Sequence, residues 1–176
     1  MLQQANTVRI LGLDPGLRHT GWGLIESSGQ RIRYLGSGVI NPNVKQESLA
    51  LRLAELFEKL LEIVKTCQPD EAVVEEVFVN KNPGSTLKLG MARGVVLLVP
   101  AHCDVSVFEY TANQVKKSVV GAGHADKTQV IHMVRRLLPA TPVEIKPDAA
   151  DALAVALCHA HQRMLNQYSA LLQSAG

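Results

Sequence analysis

Apolar runs divide the first forty residues into three segments, VRILGLD, GWGLIES and RIRYLGSGVI, separated by Gly- and Ser-containing turns. Strands joined this tightly predict an antiparallel meander, because parallel pairs need long crossovers. Asn41-Pro42-Asn43 ends the pattern, and from Ser48 to Lys65 the period becomes helical. Leu49, Leu53, Leu56, Leu60 and Ile63 share one face, while Arg52, Glu55, Lys59 and Glu62 share the other. The strand EAVVEEVFV follows, then a helix from Ser85 to about Val99 and the strand VSVFEY. Helices over Ala112–Val120 and Asp126–Leu138 flank the flexible GAGHA, and Pro147 suits the first turn of a closing helix through Gln162. Meander strands followed by helix–strand alternation predict an α/β sheet with covering helices. The expectation is a single domain over residues 1–163, with residues 164–176 a frayed or disordered tail.

Composition narrows this picture only a little. A chain of 176 residues, 47% hydrophobic and 19% charged, reads as an ordinary globular domain with one sizeable core. Cys67, Cys103 and Cys158 form no C-x-x-C pair, which argues against a zinc ribbon or disulfide framework and suits a reducing compartment. The polar start and the shortness of the longest apolar stretch, Val95 to Ala101, predict a soluble cytoplasmic protein without a membrane span. Net charge is only +2, but its distribution is uneven. Residues 80–136 carry 8 Lys/Arg against 3 Asp/Glu, whereas residues 1–79 carry 8 against 10. A basic middle beside an acidic flank fits either a phosphate-binding surface next to a carboxylate site or plain scatter on solvated helix faces.

Four acids stand where structure alone does not ask for them. Asp14 ends the first apolar run before Pro15-Gly16, and Glu75 interrupts AVVEEVFV. A turn would explain Asp14, and a half-exposed edge strand would explain Glu75, since an unpaired buried charge is costly. Asp148 and Asp151 lie i,i+3 in KPDAADALAVAL, which puts both carboxylates on one helix face, roughly 5–6 Å apart at Cβ. The surrounding alanines keep that surface low enough for close packing on a sheet. Four converging carboxylates need cations, and all-oxygen ligands favour Mg2+ or Mn2+ over zinc. Two such ions about 3.5–4 Å apart can activate water and stabilise a leaving oxygen in phosphodiester cleavage.

The blocks ILGLDPGLRHTGWGLIE, VVEEVFVNKNPGSTLKLGMARGVV, VFEYTANQVKKSVVGAGHADKTQV and PDAADALAVALCHAH resemble, in order, successive segments of the RuvC family of Holliday-junction resolvases. They cover most of residues 8–161. The resemblance implies a ribonuclease-H-like fold, a five-stranded mixed sheet flanked by helices. It also implies a magnesium-dependent homodimer that introduces paired nicks across four-way junction DNA in recombination and repair. A junction-binding and branch-migration complex is implied as a partner. Carried over position by position, Asp14, Glu75, Asp148 and Asp151 match the catalytic, metal-binding acids. Some relatives carry His at the position of Asp148, so metal binding and proton transfer both stay open there. Phe78 matches an aromatic that wedges against junction bases, although a sheet-core role is open to it as well. Lys116 and Lys127 match basic residues that contact DNA near the cut.

Other readings rank lower. Gly121 to Thr128 falls one residue short of a P-loop, and Asp126 is better read as a helix N-cap. Cys158-His-Ala-His161 lacks a second zinc-ligand pair, and its two histidines diverge on a helix. An actin-like sugar kinase shares a strand-Asp-x-Gly hairpin but needs two lobes. A junction-binding module without catalysis would not need four placed acids.

Overall fold

The computed structural model describes residues 7–42, 48–76 and 82–174. The elements are β1 (Val8–Asp14), β2 (Thr20–Ser28), β3 (Arg31–Ile40), α1 (Leu49–Cys67), β4 (Glu71–Glu76), α2 (Pro83–His102), β5 (Ser106–Thr111), α3 (Ala112–Val120), α4 (Lys127–Leu137) and α5 (Pro147–Ser174). They form one five-stranded sheet of order β3-β2-β1-β4-β5. The β1–β2 and β2–β3 pairs are antiparallel, as the short turns require. The β1–β4 and β4–β5 pairs are parallel, with α1 and α2 supplying the long connections.

Period-two alternation divides the sheet between two apolar layers. Ile10, Ile25 and Val73 face α3, α4 and α5, while Leu11, Leu13, Leu24 and Val74 face α1 and α2. On α1, Leu56, Leu60 and Val64 are the buried positions, close to the stripe expected from the period. The helix α3 has the predicted bounds because both ends carry strong signals. Thr111 and Gln114 form a capping box, and Gly121, at φ 84, ends it in the left-handed region.

Two helices run beyond their predicted limits. α2 starts at Pro83 because Asn82 caps the amides of Gly84 and Ser85 and proline is suited to a first turn. α5 continues past Gln162, its expected end, to Ser174. No glycine or proline occurs between Asp148 and Ala175 to stop it. Beyond Met164 the described side chains are exposed, although Tyr168 Oη accepts a 2.9 Å hydrogen bond from Gln30 Nε2. No helix among the described residues is long and apolar enough to cross a membrane.

Candidate active site

Register brings the first two acids together. The β1–β4 ladder pairs Leu13 with Val74, so Asp14 and Glu75 are the next positions on adjacent parallel strands. Alternation aims both at the α5 side, because Gly12 and Val73, two residues earlier on each strand, face that layer.

Glycines bring the helix carrying the other two acids onto the sheet. A Cβ on Gly21 would overlap the Asp148 carbonyl, and one on Gly12 would overlap the Ala152 carbonyl. At Gly23 it would lie 2.6 Å from two Leu153 side-chain carbons. On the helix side, Ala149, Ala150, Ala152, Ala154 and Ala156 are all buried. Small residues on both surfaces therefore seat the first turns of α5 over the ends of β1 and β2. The sequence marks the alanines readily. The matching glycines are legible only once β2 is known to lie beneath that helix.

A cavity of about 290 Å³ opens at this end of the sheet, lined by Asp14, Glu75, Asp151, Lys116 and Lys127 above the apolar wall of Val115 and Val130. Lys116 reaches it from α3. Lys127 is the first residue of α4, fixed by the Asp126–Gln129 capping box. Its Nζ lies 3.2 Å from Asp151 Oδ2, so an ammonium already neutralises part of the acidic wall. Asp148 does not line the cavity; its half-buried carboxylate acts on Asp14 through space. Phe78 lies outside the described residues.

Burial and mutual repulsion raise the two strand acids. Asp14 is pushed up to about 8, first by burial and then by the charges of Glu75, Asp151 and Asp148, with Lys127 opposing. Glu75 is pushed up to about 6 by burial and Asp151, against Lys116 and Lys127. Among the described residues no three His, Cys, Asp or Glu side chains are already gathered at metal-ligand spacing. The donor chemistry nevertheless fits a hard divalent ion, since buried carboxylates that repel one another are relieved by a cation bound through oxygen.

The titration has a sign that can be tested. In the unfolded chain both carboxyls ionise near pH 4. Between that pH and about 8, the folded state keeps a proton on Asp14 that the unfolded state has lost. Stability without metal should therefore fall as pH rises through this window and level off above it. A divalent cation needs the ionised carboxylates, so magnesium should raise the melting temperature more at pH 8.5 than at pH 6. Thermal melts with and without the ion check this, and a magnesium shift equal at both pH values contradicts it.

Other residues singled out by the sequence have structural roles. Gly121 and Asp126 end one helix and start the next, as the capping interpretation expected. His161 Nδ1 lies 3.1 Å from Ser118 Oγ, while His159 faces a different set of partners. If His159 Nε2 donates to Glu71 Oε2 at 2.7 Å, its Nδ1 accepts from the Tyr110 hydroxyl at 3.0 Å. Arg163 also pairs with Glu71. This buried network ties α5 to β4 and β5 and was not anticipated, because its members are far apart in sequence.

Comparison with known proteins agrees with this geometry. Residues 10–159 match the family model for "Crossover junction endodeoxyribonuclease RuvC". The chain is 52% identical to the RuvC of Rhizobium johnstonii over 92% of its own length and 95% of the relative's. It is 57% identical to that of Azorhizobium caulinodans over 89% and 91%, respectively. Among solved structures, Thermus thermophilus RuvC in complex with Holliday junction substrate superposes with a TM-score of 0.83 at 31% identity, covering 90% of this chain and 96% of that one. The yeast mitochondrial Holliday junction resolvase shares the fold at a TM-score of 0.67 and 16% identity, over 99% of this chain and 87% of its own. The five-stranded mixed sheet is therefore the ribonuclease-H-like architecture expected, and the chain belongs to the RuvC family of crossover junction endodeoxyribonucleases.

Proposed function

We propose that this junction endonuclease holds magnesium with Asp14, Glu75 and Asp151, assisted by Asp148, and resolves Holliday junctions through paired, symmetric cuts by a homodimer. The observation that carries the reading is a cavity in which three carboxylates from two strands and a helix meet two lysines. When bound, the metal, as two magnesium ions or manganese in their place, would supply water activation and charge neutralisation at the leaving oxygen. The protein's own contribution is positional. Adjacent strand ends fix Asp14 and Glu75, and the close seat of α5 fixes Asp151. Asp148, at the helix start, adds a further negative charge that helps to raise Asp14, after Glu75 and Asp151.

Lys116 and Lys127 are assigned to the phosphates flanking the cut, where they position DNA without reading its sequence. Lys116→Ala and Lys127→Ala should each flatten the slope of log affinity against log salt by about 0.9 on duplex arms. Titrations at several salt concentrations measure this, and an unchanged slope removes that lysine from the interface. Phe78 is retained as the aromatic that stacks on a junction base. We take residues 1–163 as one nuclease domain working on DNA in the cytoplasm, with the branch-migration complex as a further partner.

One set of acids per chain gives one active centre, whereas resolution needs two cuts. A C2 dimer supplies two centres on an axis that the junction can share. The face of α2 supports this, with refinement of the residues involved. Within GVVLLV, Val96 and Val99 are buried on their own sheet, but Leu98 is exposed together with Leu87 and Met91. Gly90 and Gly94 leave the same helix open to close approach, since a Cβ at either would meet no atom within 4 Å. The test isolates a heterodimer of wild-type and Asp14→Asn subunits and gives it a cruciform in a supercoiled plasmid. Single nicks with little linear product support the paired mechanism; efficient linearisation overturns it.

A further inference from the structure

A second cavity, also of about 290 Å³, lies on the opposite face of the sheet from the acidic one. Leu17 and Arg18 border it from the turn after β1, Arg52 from the first turn of α1, and Ser85, Lys88 and Leu89 from the start of α2. Among the described residues three cations line it, and no carboxylate does. The nearest acid along α1, Glu55, is paired with Lys59 at 2.6 Å. Two helices present their N-terminal turns here, so their dipoles add to the positive potential.

Arg52 supplies the observation that points to a ligand. Its Nη2 donates to the Leu17 carbonyl at 3.0 Å, which holds the guanidinium against the turn. Its Nε is buried and has no hydrogen-bond partner among the described residues. An unsatisfied buried donor on a charged group is costly, and a small shift of the side chain toward the cavity would let a phosphate oxygen accept from it. The exposed Arg18 and Lys88 can close on the same anion from either side.

We propose that this cavity is a second phosphate subsite, which holds the backbone of the junction strand that also enters the acidic cavity. The inference rests on the junction-nuclease reading above. Arg18 is only four positions after Asp14, a span of at most about 14 Å. That reach limits the contacted phosphate to one a few nucleotides from the cut. The Pro15-Gly16 turn between them is the edge over which the strand passes. Binding there sets the direction in which the strand leaves the active centre, a task distinct from holding the reacting phosphate.

The test replaces junction phosphates one at a time with neutral methylphosphonates and measures affinity at several salt concentrations. Arg52 also supports the turn, so the exposed pair Arg18→Gln with Lys88→Gln serves as the main variant, with an unchanged melting temperature as its fold control. Wild type should lose affinity at one substituted phosphate near the cut, and the variant should show no loss at that position. The variant's salt slope should also fall by about 0.9 for each duplex phosphate contact removed. Wild type that fails to bind junctions overturns the nuclease reading and this subsite with it. Normal wild-type binding, with an unchanged slope and methylphosphonate profile in the variant, overturns the subsite alone.

Discussion

Asp14→Asn is expected to lower magnesium-dependent junction cutting by more than about a hundredfold, because losing even an outer partner of a metal ligand commonly costs 10–100-fold. Glu75→Gln should behave alike, since both acids sit at adjacent strand ends on the wall of one cavity. Junction affinity should stay near wild type in each, because binding rests on lysines and arginines. Removing the raised carboxyl should also stabilise the metal-free protein above pH 8, where an ionised Asp14 is disfavoured by burial and by three neighbouring acids. Two readouts thus move in opposite directions, which a merely misfolded variant would not show. Single-turnover cleavage, equilibrium binding and thermal melts measure the three effects. Near-normal cutting by either variant would falsify the assignment.

Gly12→Val should be among the most damaging single changes outside the acids. The new side chain would overlap the Ala152 carbonyl and crowd Ala156, so the backbone of α5 must move. Overpacking of this kind costs about 1–3 kcal/mol where side chains can yield, and more where backbone must. A melting temperature lower by several degrees follows, at about 2–4 °C per kcal/mol for a domain this size. Because α5 carries Asp148 and Asp151, cutting should fall even at temperatures where the variant remains folded. Gly36→Ala is the control, since its Cβ would meet only the Trp22 ring at 3.5 Å. Equal effects of the two substitutions would show that the close helix–sheet approach does not set the site.

Much of this was legible in the chain because the signals were local. The meander follows from three apolar runs with short turns, and α3 from a Thr–Gln box and a terminal glycine. The acids were visible as charges inside apolar runs. What sequence could not give was which side of the sheet they share, since that depends on the β1–β4 register. Asp148 and Asp151 share one helix face at i,i+3, yet only Asp151 lines the cavity. The glycines of β1 and β2 carry meaning only opposite the alanines of α5. The arginine cavity joins residues 17, 52 and 85 through tertiary contact alone. The end of α5 was missed because no glycine or proline after Pro147 marks where it stops before Gly176.

The most direct measurement offers the purified chain a synthetic four-way junction whose core can branch-migrate, presenting many sequences to the active centre. A linear duplex of the same arm sequence is the competitor, with and without magnesium. Cuts are expected at symmetrically related positions on two strands of like polarity, only on the junction and only with the metal. Equal cutting of the linear duplex, or undiminished cutting after the divalent ions are chelated, would contradict this.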